Sequence, residues 1–176
     1  MTTLHWIQLD VPGALAIMPR PRGGDWLIEE VRAWRTAGVG LVVSALEPLE
    51  EAYLELEEEQ AMCKQFGIAF QRFSMMDRST PAHDSEARKF VSGLASQLES
   101  GTSIVIHCRI GIGRSGMLCA ATLVALGLDP TEAFLRVQEA RGMRVPDTRD
   151  QLEWVFDFAE SLQKPDGPTL DELEGN

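Results

Sequence analysis

Hydrophobic and polar positions fall in blocks along the chain, and the period of the blocks changes in a regular order. Residues 4–9 and 14–18 are short apolar segments split by Val11-Pro12-Gly13, which predicts two strands around a turn. After a Pro- and Gly-rich loop over 19–24, Asp25 stands where a helix cap belongs, and Leu27, Val31 and Trp34 recur at helical spacing until Gly38. Residues 39–43 predict a buried strand, 49–66 an acidic helix closed by Gly67, and 68–73 another strand. A loop over 74–81 leads to a helix over 84–100, with Phe90, Val91, Leu94 and Leu98 on one face and Gly101 as its stop.

The β-branched run Ile104-Val105-Ile106 predicts a strand buried on both faces, and Met117 to Leu126 an apolar helix ended by Gly127. Asp129-Pro130 is a cap followed by proline in the first helical position, opening a helix to Arg141. A last helix starts at Thr148-Arg149-Asp150-Gln151, with Leu152, Val155, Phe156, Ala159 and Leu162 expected to face inward. Alternating strands and helices imply an α/β fold: a central, mostly parallel, twisted sheet of about five strands flanked by helices. Ligands of such sheets sit beyond the carboxyl ends of the strands.

The stretch from Ser103 to Gly116 is therefore the place to look for chemistry. Cys108 follows a buried strand at once, five residues with two glycines come next, and Arg114-Ser115 open a helix. A loop between a strand's end and a helix's start offers backbone N–H groups and the positive end of the helix dipole to an anion. Arg114 adds a planar fork of donors suited to two phosphate oxygens. The same field favours a thiolate, lowering a cysteine's pKa to roughly 3.5–7.5. The plain alternative is a buried cysteine beside a structural turn.

His107-Cys108, five residues and Arg114-Ser115-Gly116 resemble the signature loop of the cysteine-dependent protein tyrosine and dual-specificity phosphatase superfamily. The segment from Val145 to Val155 is similar to that of the cyclin-dependent-kinase-associated phosphatase subgroup. The resemblance implies Cys108 as nucleophile and Arg114 as phosphate ligand. Loop residues Arg109, Ile110, Gly111, Ile112 and Gly113 would bind substrate, and Ser115 would help the thiolate leave. His107 would support the loop's shape. Asp77, on the loop after the preceding strand, fits the family's general acid, its plain alternative being a turn residue that satisfies backbone donors. Asp84 is the reserve acid, read more simply as a helix cap. For Gln151 two readings stand side by side: the family's glutamine near the attacking water, or one half of a capping box with Thr148. Ile110 stands where relatives carry a small residue, which would alter the pocket floor. Arg109 resembles the lysine of some lipid-phosphatase relatives.

The implied activity is hydrolysis of phosphotyrosine, with phosphoserine and phosphothreonine admitted by a shallow cleft, through a cysteinyl phosphate and with neither metal nor cofactor. A phosphoinositide phosphatase and a phosphopeptide-binding pseudophosphatase are the alternatives.

Composition narrows the partners. The chain has 176 residues, enough for one domain, expected over 1–163, with an acidic tail over 164–176 read as mobile. The net charge is -11, and the seven glutamates of residues 47–59 together with the tail supply nearly all of it. Such a balance argues against nucleic acid as a partner and leaves a phosphoprotein as the expected one. The glutamate run itself reads as a solvated helix face. Three cysteines without a framework, no apparent signal peptide and no apolar run long enough for a bilayer point to a cytoplasmic, monomeric protein, with no membrane partner. The resting state expected for Cys63 and Cys119 is a buried, inert thiol, the alternative being a regulatory disulfide with Cys108.

Overall fold

A computed structural model describes residues 1–163; the tail expected over 164–176 lies outside them. Five strands, β1 (His5–Ile7), β2 (Ala14–Met18), β3 (Leu41–Ser44), β4 (Ala69–Arg72) and β5 (Ser103–His107), form one sheet in the order β1-β2-β5-β3-β4. Only β1 runs antiparallel, against β2; all other pairings are parallel. Strand β5 is central, and His107 pairs with Met18 on one side and Ser44 on the other. The residue after His107 thus leaves the sheet where three strands end together, which is where the fold presents ligands.

The strands alternate their apolar side chains between two cores, as a period of two requires. Leu15, Ile17, Leu41, Val43, Ile104 and Ile106 face one cluster, while Ala16, Met18, Val42 and Val105 face the other. The first is covered by α4 (Asp84–Glu99), α5 (Arg114–Ala125), α6 (Pro130–Arg141) and α7 (Arg149–Gln163), the second by α1 (Leu27–Thr36) and α3 (Glu59–Gln65). Helix α5 is buried from Arg114 to Val124, so its start is held on every side by packing. At α6 the cap is as expected: Asp129 accepts from the Thr131 N–H at 2.8 Å, Pro130 follows, and Gly142 ends the helix with φ 73°.

Four local expectations are corrected. The acidic stretch is two short helices, α2 (Pro48–Tyr53) and α3, because Glu55 turns left-handed at φ 56° and its carbonyl accepts from Gly24 N–H at 2.9 Å, while Leu56 plunges into the second core. Asp25 caps nothing: it lies inside a 3-10 turn, Gly24–Trp26, that runs straight into α1. Asp84 is the first residue of α4 and accepts from the indole N–H of Trp154 at 2.9 Å, joining α4 to α7. Helix α7 turns Gln151, Val155, Phe158 and Ala159 inward, leaving Phe156 and Leu162 38% and 49% exposed. The buried set fits positions i, i+4, i+7 and i+8 of one stripe.

Candidate active site

The loop 108–113 connects β5 to α5. Gly111 has φ 72°, and a Cβ there would stand 2.5 Å from the Met18 carbonyl oxygen, so the loop's close approach to the end of β2 requires glycine. Arg141 at the end of α6 fastens the loop's carbonyls, its Nε donating to Gly111 O at 2.8 Å and its Nη2 to Ile110 O at 3.1 Å. Nothing in the local sequence marks Arg141 for this task; the signal would be its partners, some thirty residues away.

Cys108 is buried beneath the loop, with its Sγ 3.2 Å from Ser115 Oγ. Burial raises its pKa, but the Ser115 hydroxyl, the N–H groups of Ser115 and Ile112 and the charge of Arg114 outweigh it, and the net shift is downward. The other two thiols move the other way. Burial, aided by the Glu59 charge, pushes Cys63 up to about 12, and burial with the Cys108 charge raises Cys119 well above its ordinary value. All three are free thiols, and Cys63 belongs to the core on the opposite side of the sheet from Cys108.

Arg114 is 1% exposed and tightly oriented. Its Nη1 donates to the carbonyls of Ala45 at 3.2 Å and Met75 at 2.9 Å, and its guanidinium is held by both carboxylate oxygens of Glu50, with Nη2 to Oε1 at 2.9 Å. The Nε is buried without a partner. A buried guanidinium N–H with no acceptor is costly in isolation, and it marks a position where an oxyanion would be favoured. Asp77 reaches the same group from the loop after β4, with Oδ1 3.1 Å from Nη2, and its side chain is 62% exposed.

The acidic stretch supplies this site's rear, contrary to the solvated face expected of it. Glu50 orients Arg114, Glu51 pairs with Arg72 at 2.7 Å, and Glu59 lies 3.1 Å from His107 Nε2 with both side chains fully buried. Burial alone would lower the His107 pKa, yet the Glu59 charge prevails and raises it. Among the described residues neither side chain has another hydrogen-bond partner, so each buried polar group depends on the other.

The remaining candidates are placed as follows. Ile110 is 61% exposed, and its carbonyl accepts from Arg141. Arg109 is exposed, with its Cζ 5.9 Å from the centre of the Tyr53 ring, within cation–π range. Ile112 is half-buried and lines a hollow of about 680 Å³ with Met143, Arg144, Pro146 and Leu152. Gln151 is fully buried against the loop: a Cβ on Gly113 would stand 3.0 Å from its Oε1. Its capping box with Thr148 is formed, at 3.3 Å and 3.2 Å. Cys108, Arg114, Ser115, Asp77 and Gln151 therefore converge, whereas His107 acts from behind the loop. Among the described residues no group of three His, Cys, Asp or Glu is placed to hold a metal ion.

Residues 1–156 match the family model described as "Swiss Army Knife protein, DSP-PTPase phosphatase domain", PTP-SAK. The chain belongs to this phosphatase family. The likeness extends to cyclin-dependent kinase inhibitor 3 of Rattus norvegicus, 28% identical over 101 residues that make up 56% of this chain and 47% of that protein. It also extends to 067L of Invertebrate iridescent virus 3, provisionally named a tyrosine phosphatase, 29% identical over 138 residues, 75% of this chain and 55% of that protein. The chain thus spans about half the length of these curated relatives. In fold it resembles the kinase associated phosphatase (KAP), with a TM-score of 0.83 at 18% identity over 93% of this chain and 97% of that one. PTPMT1 in complex with PI(5)P gives a TM-score of 0.70 at 20% identity over 85% and 92%. Within the superfamily, the cyclin-dependent-kinase-associated subgroup anticipated from residues 145–155 is supported by both sequence and fold. As a PTP-SAK domain the chain is an α/β phosphatase fold, and no helix among its described residues is long and apolar enough to cross a membrane.

Proposed function

We propose that this PTP-SAK domain hydrolyses phosphomonoesters on proteins through a cysteinyl-phosphate intermediate. The observation that carries the reading is the placement of Cys108, buried at the end of β5 with its sulfur 3.2 Å from Ser115 Oγ, next to the start of α5 and the buried Arg114, whose charge and N–H groups favour the thiolate. The thiolate attacks phosphorus and forms the S–P bond as the P–O bond to the alcohol or phenol breaks. The Asp77 carboxyl gives its proton to the departing oxygen. What supports this role is that Asp77 stands beside the guanidinium that would hold the phosphoryl group, with Oδ1 3.1 Å from Nη2. Water then attacks phosphorus, its proton passes to the Asp77 carboxylate, and the S–P bond breaks with the Ser115 hydroxyl donating to the leaving thiolate. Arg114 and the loop amides stabilise the equatorial oxygens in both steps, the kind of preorganised donor whose loss costs about 10²–10³ in kcat.

Phosphotyrosine is the substrate the resemblance implies, and the exposure of Asp77 and Arg109 supports a cleft shallow enough for phosphoserine and phosphothreonine. The exposed Arg109 beside the nucleophile supports one second reading, a phosphoinositide headgroup. The convergence of nucleophile, arginine and acid weighs against a pseudophosphatase. Turnover of p-nitrophenyl phosphate with EDTA present tests the activity. Parent activity that disappears in Cys108→Ser is expected, and equal rates for the two proteins would contradict it. Phosphate release from a panel of phosphopeptides and phosphoinositides separates the two substrate classes.

A further inference from the structure

The loop that carries Asp77 is fastened at two points, to the connection between α6 and α7 and to the first turn of α7. Arg78 Nη1 lies 2.8 Å from Asp147 Oδ2, and Gln151 Nε2 donates to the Ser79 carbonyl at 3.0 Å. Arg78 is left-handed at φ 62°, a conformation that costs an L residue energy and persists only where its surroundings impose it. The two fastenings are unequal. The Arg78 and Asp147 side chains are 64% and 39% exposed, and an exposed ion pair contributes little. Gln151 is fully buried and committed at both ends of its amide: Nε2 to Ser79 and Oε1 to the Thr148 N–H. Its amide also stands against Gly113, where Oε1 and Nε2 would be 3.0 Å and 3.2 Å from a Cβ. One side chain therefore touches the acid loop, the nucleophile loop and the start of α7.

We propose that Gln151 is a positioning residue that clamps the Asp77 loop onto the Cys108 loop through the Ser79 carbonyl, and that it does not orient the attacking water. This rests on the reading of Asp77 as general acid. A clamp on the acid acts on the first step, where the leaving oxygen needs a proton; an aid to water acts on the second. Nε2 donates to the Ser79 carbonyl and Oε1 accepts from the Thr148 N–H, so the amide is held in one orientation by partners that are not water.

Rates on phenyl phosphate and p-nitrophenyl phosphate for the parent, Gln151→Met and Asp77→Asn separate the two. Phenolate is the poorer leaving group and depends more on the acid. Gln151→Met should slow phenyl phosphate by about tenfold more than the nitrophenyl ester, a share of the ~10²–10⁴ that general acids supply, and Asp77→Asn should show the same bias more strongly. Equal slowing of both esters in Gln151→Met, with a burst of nitrophenolate from accumulated cysteinyl phosphate, would overturn the clamp.

Hydrogen exchange supplies a readout that needs no turnover. Amides of residues 76–80 should exchange faster in Gln151→Met, and unchanged exchange would overturn the clamp even if activity were absent. An inactive parent would instead refute the phosphatase reading. Thr148→Ala, which removes the hydroxyl that accepts the Gln151 N–H but leaves the bond to Ser79, should lower Tm without the leaving-group bias. Asp147→Asn releases the exposed fastening and should give the same bias as Gln151→Met in smaller degree; no bias in it and none in Gln151→Met would overturn the proposal together.

Discussion

The loop 108–113 and the acidic stretch 47–59 both build the surroundings of Arg114, the loop by leading into its helix and the stretch through Glu50, yet one announces itself in sequence and the other does not. The loop's parts are consecutive: strand, nucleophile, glycines, arginine, helix. The acidic stretch gives Glu50 to Arg114, 64 residues on, Glu51 to Arg72, 21 residues on, and Glu59 to His107. Its charges look like a solvated face because sequence shows their number and not their partners. A buried carboxylate is tolerated only when paired, so the pairing partner decides burial and the run of glutamates decides nothing.

The comparison is sharpened most by Glu50→Gln. It leaves the Arg114 guanidinium without its bidentate partner, and losing these charge-assisted hydrogen bonds from a half-buried carboxylate is expected to cost up to about 3 kcal/mol of stability. A misplaced Arg114 should also lower kcat by as much as about 10²-fold. Urea unfolding and steady-state kinetics measure both. Little change in either would mean that the carbonyls of Ala45 and Met75 suffice to hold the arginine.

Glu59→Gln comes next and carries a pH signature. The folded pKa of His107 lies above its ordinary value, so the pair's contribution is fully present below about pH 6.5 and is lost as pH rises through the folded value. The variant should be less stable than the parent by about 2 kcal/mol at pH 6, with a smaller gap at pH 9. A gap that does not depend on pH would show that His107 is neutral beside Glu59. Glu57→Gln, exposed in the same stretch, should change stability by less than about 0.5 kcal/mol.

Much of the fold was legible because its signals are local. The strand after Thr102 is a β-branched run, Gly127 and Gly142 stand just past helix ends, and Asp129-Pro130 caps α6 as read. The placement of Cys108 and Arg114 at the two ends of one strand-to-helix loop was legible for the same reason. The register of α7 was not, since Phe156 and Leu162 also fall at helical spacing and only packing shows that Phe158 takes the inner stripe. The place of Ile110 in the loop was legible, but the bond from Arg141 to its carbonyl was not, since Arg141 lies 31 residues on. Arg141 itself and the three paired glutamates carry no pattern, because each acts on a residue brought near by the sheet. Gln151 was half legible: its spacing from Thr148 gives the capping box, and nothing in the chain reveals the Ser79 carbonyl it also holds.

The central claim is that the Cys108 sulfur is ionised near neutral pH by the groups around it. Its alkylation rate by iodoacetamide, followed across pH with mass spectrometry to assign the site, measures this directly. The expected result is selective modification of Cys108, with an inflection below the ordinary thiol value and little reaction at Cys63 or Cys119. A rate at Cys108 that climbs only above about pH 8.5, as an unperturbed thiol does, would contradict it.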